Sequence, residues 1–379
     1  MTDVEPAPER AAPTAPPALE HRPWTLQRVL HGGWRRVKLA VLGARDAALL
    51  PLAAGSGVLS SLHYAVASRV FDREHRAVVV GRRMYAAMER RLGEHSYLLR
   101  RNIHMLEKGL VMRPRRPVFA VDYIAPTVRA YREMLALSRS EPELVDQREL
   151  QWATDVLTEY FAIAGSHPTI DKVRGWWHEL TPPSPESRVL APYRRDLSGE
   201  PPVSLPALTE LARRRRSVRW FDQRPVPREA IDAALAVAIE APSACNRQPF
   251  EFRIFDEPEM VQRVASIPLG TRGYAHNIPV VAVIIGKMRA FFSERDRHLI
   301  YIDGSLAAMS FILALEAAGL SSCLINWPDV ADEERRMAAT LGLEPDERVV
   351  MLVAIGYPDP TGSVPSSGKK SLDAYRRYA

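Results

Sequence analysis

Residues 279–286 read PVVAVIIG, an unbroken apolar run without a polar or charged side chain. A short continuous run of this kind, rich in β-branched residues, reads as a strand covered on both faces and therefore central in a sheet. Its partners are legible nearby. FEFRIF (250–255) alternates like a half-buried strand, and RVVMLVAIGYP supplies another buried strand. Between them DGSLAAMSFILALEAAGL is a long apolar helix that ends at Gly319, whose freedom at positive φ suits a C-cap. Two shorter helices come first: SLPALTELA with Ser204 as N-cap, and VPREAIDAALAVAIE with Pro227 near its first turn.

Upstream the periodicity is helical. From Trp24 to Arg45 the positions Leu26, Leu30, Trp34, Val37 and Val41 form one stripe, while Arg28, His31, Arg35, Lys38 and Arg45 fall on another. A basic amphipathic segment can lie on an anionic membrane or pack on its own protein, and both readings stay open. Residues 47–68 contain no Asp, Glu, Lys or Arg, yet Pro51, Gly55, Gly57 and four serines make spanning unfavourable. A buried helical hairpin broken near Pro51 and Gly55 is expected there. A further helix is expected from Val80 to Met112, and more helix over 120–180 before the Pro/Ser-rich stretch 181–203. The expected order is a disordered tail (1–22), a basic helical region (23–112), a helical region ending in a linker (113–203) and a mixed α and β domain (204–379).

Two cysteines, Cys245 and Cys323, are too few for a disulfide framework or a zinc site, which favours a reducing cytoplasm and no metal. The formal charge is +6, but 51 basic against 45 acidic residues is mostly a mixed surface. The exception is LARRRRSVRWF, where Arg213 to Arg216 and Arg219 put five arginines into seven residues. A nucleic-acid patch, a membrane-surface patch and a pocket that neutralises a ligand phosphate all fit such a run. APSACNRQPF (241–250) is a rigid turn whose amides and hydroxyls can meet a ligand, although ordinary connectors have the same composition. HMLEKGL (104–110) sets His104 and Glu107 three apart on one helix face, with no chemistry assignable.

Five segments in order, RRSVRWF, APSACNRQPF, GLSSCLINWP, LGLEPDERVVMLVAIGYP and GKKSLDAY, resemble the FMN-dependent nitroreductase family from about Ser204 onward. The resemblance implies an α+β fold, a mixed β-sheet flanked by helices, here preceded by a mostly helical N-terminal region. It also implies FMN and a homodimer with the flavin at the subunit interface. Arg215 and Arg216 are then the phosphate-side candidates, with Ser217 beside them, because guanidinium forks hold phosphate through paired, charge-assisted hydrogen bonds. A basic residue at the place of Arg219 faces the polar edge of the flavin ring, where a fixed cation stabilises the charge of reduction. Pro242, Ser243, Ala244 and Asn246 match a loop that usually comes from the other chain, with Gln248 a further contact or brace. A backbone N–H at Asn326 or Trp327 would face flavin N5, and Lys369 and Lys370 match basic residues that reach the phosphate. No side chain is given a catalytic role, since the flavin carries the hydride. Cys245 is not read as a nucleophile, and Cys323 reads as a small buried filler.

The implied activity has NAD(P)H reducing the flavin, which then passes two electrons to a nitro, quinone or specialised biosynthetic small-molecule acceptor. The expected setting is cytoplasmic, with residues 24–45 as a peripheral membrane contact and no nucleic-acid partner. The alternative is a non-catalytic flavin-binding or membrane-associated scaffold, from which steady NAD(P)H turnover would separate it.

Overall fold

The computed structural model describes residue 41 and residues 47–88, 97–182 and 189–378. The tail expected over 1–22 and the amphipathic pattern from Trp24 to Arg45, apart from an exposed, helical Val41, lie outside the described residues. The chain divides into two compact units, Met1–Asp72 and Arg73–Ala379. In the first, residues 47–54 are helical, and a second helix, Gly57–Leu62, starts because Ser56 accepts the Val58 N–H at 3.2 Å. The break falls at Gly55 as expected, while Pro51 stays inside the first helix. The expectation of burial fails here: Leu52, Val58, Leu62 and Val66 are 57–77% exposed. Helices this short offer each other little apolar area, and among the unit's described residues Ala53 alone is buried.

The second unit opens with a helical layer. Within the helix expected from Val80 to Met112 the described residues form α1 (Asp72–Met88) and α2 (Tyr97–Leu110), and residues 89–96 lie outside the described residues. On α2, Leu99, Ile103, Leu106 and Leu110 recur at helical spacing and bury against α3 (Ile124–Ser140), α4 (Gln147–Ile163) and α5 (Pro168–His178). Asp146 starts α4 by accepting the N–H groups of Arg148 and Glu149 at 2.9 and 3.1 Å. Gly109 is required, because a Cβ there would run into the Phe119 ring. Residues 189–203 are irregular and lie within this same unit.

Beyond α6 (Leu205–Arg214) and α7 (Arg228–Ala238), five strands form one sheet: β1 (Phe221–Asp222), β2 (Phe250–Phe255), β3 (Val280–Lys287), β4 (Ser321–Asn326) and β5 (Glu347–Pro358). β5 carries β3 along one edge and pairs with β4 and β1 as well, while β2 is the far edge beyond β3; the named pairs are antiparallel. Alternation along β3 explains its unbroken apolar run. Val281, Val283 and Ile285 join a core with Val261 and Val264 of α8 (Pro258–Ala265) and Met337 of α10 (Ala331–Leu341). Val280, Ala282 and Ile284 face the opposite core with Phe311 and Leu315 of α9 (Leu299–Ala317) and Ile231 of α7. The edge strand β2 is half-buried throughout instead of alternating, because solvent reaches it from the side. The long apolar helix begins at Leu299, before the expected Asp303, and Gly319 follows its end at φ +78°.

Candidate functional site

The arginine turn is built from its two ends. Ser204 starts α6 by accepting the Ala207 N–H at 3.3 Å, and the helix stops at Arg215, whose ψ of 124° is extended. Arg213 and Arg214 occupy the last turn, where cations complement the helix dipole, and Arg214 Nε meets Glu316 Oε1 at 3.0 Å. The chain then lies along β4. Ser217 pairs with Ser322 in an isolated parallel bridge outside the five antiparallel strands, and Val218 donates its N–H to Ser322 O at 3.1 Å.

This leaves Arg215, Arg216 and Arg219 half-buried beside β4. Among the described residues none of the three has an ion pair: Arg216 Nη1 donates to Arg215 O at 3.2 Å and Arg219 Nη1 to Ser217 O at 3.4 Å. The Arg219 guanidinium also lies over the Tyr274 ring, 5.8 Å from its centroid. Burial raises the Cys323 thiol above its usual value against the pull of Arg219 and Arg215, and burial pushes the Tyr274 hydroxyl up to about 12. Three guanidinium groups gathered without an acid are the donor set that an anion needs.

The loop after α7 is held in an unusual backbone. Cys245, Asn246 and Gln248 have φ of 53°, 51° and 50°, left-handed values that cost non-glycine residues about 1–3 kcal/mol each where the surroundings enforce them. The enforcing contacts are specific. Ser243 Oγ accepts the Gln248 N–H at 3.0 Å, and Gln248 Nε2 donates to Asn246 Oδ1 at 3.2 Å. Asp303 of α9, 3% exposed, accepts the Ala244 N–H at 3.0 Å. Burial raises its carboxyl, while that N–H and Arg247 pull it back. Arg100 of α2 donates Nε to Asn246 O at 2.9 Å and Nη1 to Glu149 at 3.0 Å. Arg247 is 3% exposed and its guanidinium lies 5.0 Å from the centre of the Phe291 ring. Pro242, Asn246 and Gln248 border a cavity of about 500 Å³ shared with Arg100, Arg148 and Trp152 of the helical layer.

One chain does not bring the turn and the loop together. Ser217 sits beside Ser322, level with Ile355 of β5, whereas Phe250, where the loop ends, is level with Gly286 and Arg348. Seven residues along β5 are about 23 Å, and Ser322 stands a further three strand spacings across the sheet from Phe250. Asn326 closes β4 at the end away from Ser217, four residues past Ser322 and about 13 Å along the strand. Trp327 follows it, buried, with Nε1 donating to Glu334 Oε1 at 2.5 Å. Lys369 and Lys370 are exposed, and neither makes an ion pair among the described residues. Sequence reading missed Arg100, Asp303 and Arg247 as holders of the loop. Asp303 carried a signal, as an acid at the head of an otherwise apolar helix.

The second unit is thus a sheet covered by helices on both faces, with three half-buried arginines on its β4 edge that have no ion pair among the described residues. Residues 212–270 and 256–357 match the model of the Nitroreductase family, and the C-terminal region of the chain is a nitroreductase-family domain. Iodotyrosine deiodinase 1 of Rattus norvegicus is 26% identical over 192 residues, covering 43% of this chain and 66% of that protein. The chain therefore spans just under two thirds of that relative's length. An NADH dehydrogenase of Thermus thermophilus is 28% identical over 182 residues, covering 40% of this chain and 86% of its own. Among solved structures, an FMN-dependent nitroreductase from Clostridium difficile aligns over 45% of this chain and 96% of its own, at 24% identity and a TM-score of 0.37.

Proposed function

We propose that the chain is an FMN-dependent oxidoreductase acting as a homodimer, with NAD(P)H as electron donor and a small organic molecule as acceptor. The observation that carries this reading is the set of three half-buried arginines without an acid partner among the described residues, in a domain of the Nitroreductase family. Arg215 and Arg216 would hold the FMN phosphate, Ser217 would add a hydroxyl, and Arg219 would face the polar edge of the ring. Asn326 and Trp327 lie farther along the same edge, where a backbone N–H would meet the ring. Lys369 and Lys370 would approach the phosphate from the C-terminal segment, which starts beside the turn where the Asp359 N–H donates to Trp220 O at 3.0 Å.

The distance between turn and loop supports the dimer, since Pro242, Ser243, Ala244, Asn246 and Gln248 can meet a flavin held at the turn only if they come from a second copy. Bound FMN supplies the two-electron chemistry; this chain's residues fix its position and charge environment. Relatives named iodotyrosine deiodinase put iodotyrosine beside nitroaromatics and quinones as an acceptor to try. The test is to purify the protein, identify released flavin, and follow NADH and NADPH oxidation with each acceptor. Non-covalent FMN and acceptor-dependent turnover are expected. FAD, or no flavin after incubation with excess FMN, contradicts the reading, and FMN without turnover leaves the flavin-binding scaffold.

A further inference from the structure

The HMLEKGL segment of α2 plays no part in the flavin reading, and its side chains divide by what they touch. Leu106 and Gly109 serve the helical core. His104, Glu107 and Lys108 instead border a cavity of about 420 Å³ between α2, α4 and residues 189–193. Glu107 is engaged twice, its Oε2 with His104 Nδ1 at 3.2 Å and its Oε1 with Trp152 Nε1 at 3.0 Å. The Glu107 carboxylate accepts from the ring, so the neutral imidazole carries its proton on Nδ1 and leaves Nε2 as an acceptor. Among the described residues Nε2 has no hydrogen-bond partner, and Lys108 has no acid partner.

The facing wall is anchored. Leu190 donates its N–H to Asp155 Oδ2 at 2.7 Å, and Gln151 Nε2 donates to Asp155 Oδ1 at 2.7 Å, with Asp155 only 7% exposed. The rest of the lining, including Trp152, Leu190, Pro192 and Tyr193, is apolar or aromatic. A cavity of this volume, largely apolar with a few converging polar groups, has the makeup of a small-molecule site.

We propose that this cavity binds a flat aromatic molecule bearing a ring hydroxyl. The hydroxyl donates to His104 Nε2, Lys108 balances the negative charge that builds on its oxygen, and the ring rests against Trp152 and Leu190. Glu107 is a positioning residue: it fixes the tautomer that makes Nε2 an acceptor. The site shares Trp152 and Leu190 with the cavity beside the Pro242–Gln248 loop but none of its residues with the arginine turn, and its hydroxyl contacts are argued without the flavin.

The experiment is calorimetric titration of the full-length protein, in excess FMN to fill any flavin site, with naphthol and with its methyl ether. Naphthol is expected to bind one equivalent per chain, at least tenfold tighter than the ether. His104→Phe and Glu107→Gln are each expected to weaken naphthol at least tenfold, with little effect on the ether. Lys108→Met, at an exposed position outside the core, is expected to weaken naphthol at least threefold and provides the test should the other variants fail to fold. No saturable binding of naphthol, equal affinity for naphthol and ether, or unchanged naphthol affinity in Lys108→Met would overturn the proposal.

Discussion

Removing the brace that Arg100 places on the loop has consequences that can be separated by experiment. Arg100 and Glu149 form a pair whose side chains are 13% and 9% exposed. Arg100→Ala takes the Arg100 ion pair away from a nearly buried carboxylate, a change that costs up to about 3–5 kcal/mol of stability. Arg100→Met combined with Glu149→Gln removes both charges at similar volume, so most of that loss is expected to return. What stays lost is the charge-assisted bond from Arg100 Nε to Asn246 O, worth about 1.5–3 kcal/mol. That bond acts on a loop whose left-handed residues need enforcement, so its loss is expected in the flavin affinity, as a roughly tenfold to 150-fold rise in Kd. Urea unfolding of the flavin-free proteins measures the first effect and FMN fluorescence titration the second. A double variant that recovers stability and binds FMN within twofold of the natural protein would refute the brace.

Further outcomes follow from the same structure. Arg215→Ala is expected to weaken FMN binding by about 2–4 kcal/mol, and Arg213→Ala, exposed at the helix end, by far less; equal losses by titration would mean a diffuse basic surface. Burial holds the Cys323 thiol above its ordinary value, so the reactive thiolate is scarce near neutral pH. Mass spectrometry of iodoacetamide-treated native protein should find Cys323 unmodified until the pH is raised well above the usual thiol range, and modified at once after denaturation. Deleting residues 1–46 is expected to release the protein from anionic vesicles in a sedimentation assay while leaving FMN content unchanged; loss of flavin instead would place that segment in the flavin-binding fold.

Much of the sheet domain was legible because its signals are local. The run from Val280 to Ile285 lacks alternation because both faces of β3 are covered, and Ser204 and Gly319 mark helix ends through their own side chain and backbone. The start of α9 was not legible: His298 offers no side-chain cap, and the run from Leu299 to Ile302 carries no stop before Asp303. In the candidate site the arginine turn announced itself by composition. The contacts that shape the loop did not, because Asp303 and Arg100 lie 59 and 146 residues from the groups they hold. Nothing in APSACNRQPF distinguishes a braced loop from an ordinary connector.

The central claim is that each flavin sits between the arginine turn of one chain and the loop of its partner. Two differently tagged variants test it: Arg215→Ala with Arg216→Ala in one chain, and Ser243→Ala with Asn246→Ala in the other. Each variant alone is expected to bind FMN poorly. In the purified mixed dimer, one site receives both damaged parts and the other receives the intact turn and the intact loop. Flavin quantified by absorbance should therefore be one FMN per mixed dimer, held with the affinity of the unaltered protein. A mixed dimer that binds no FMN at that affinity would mean that turn and loop serve the same flavin from a single chain, and the account would be wrong.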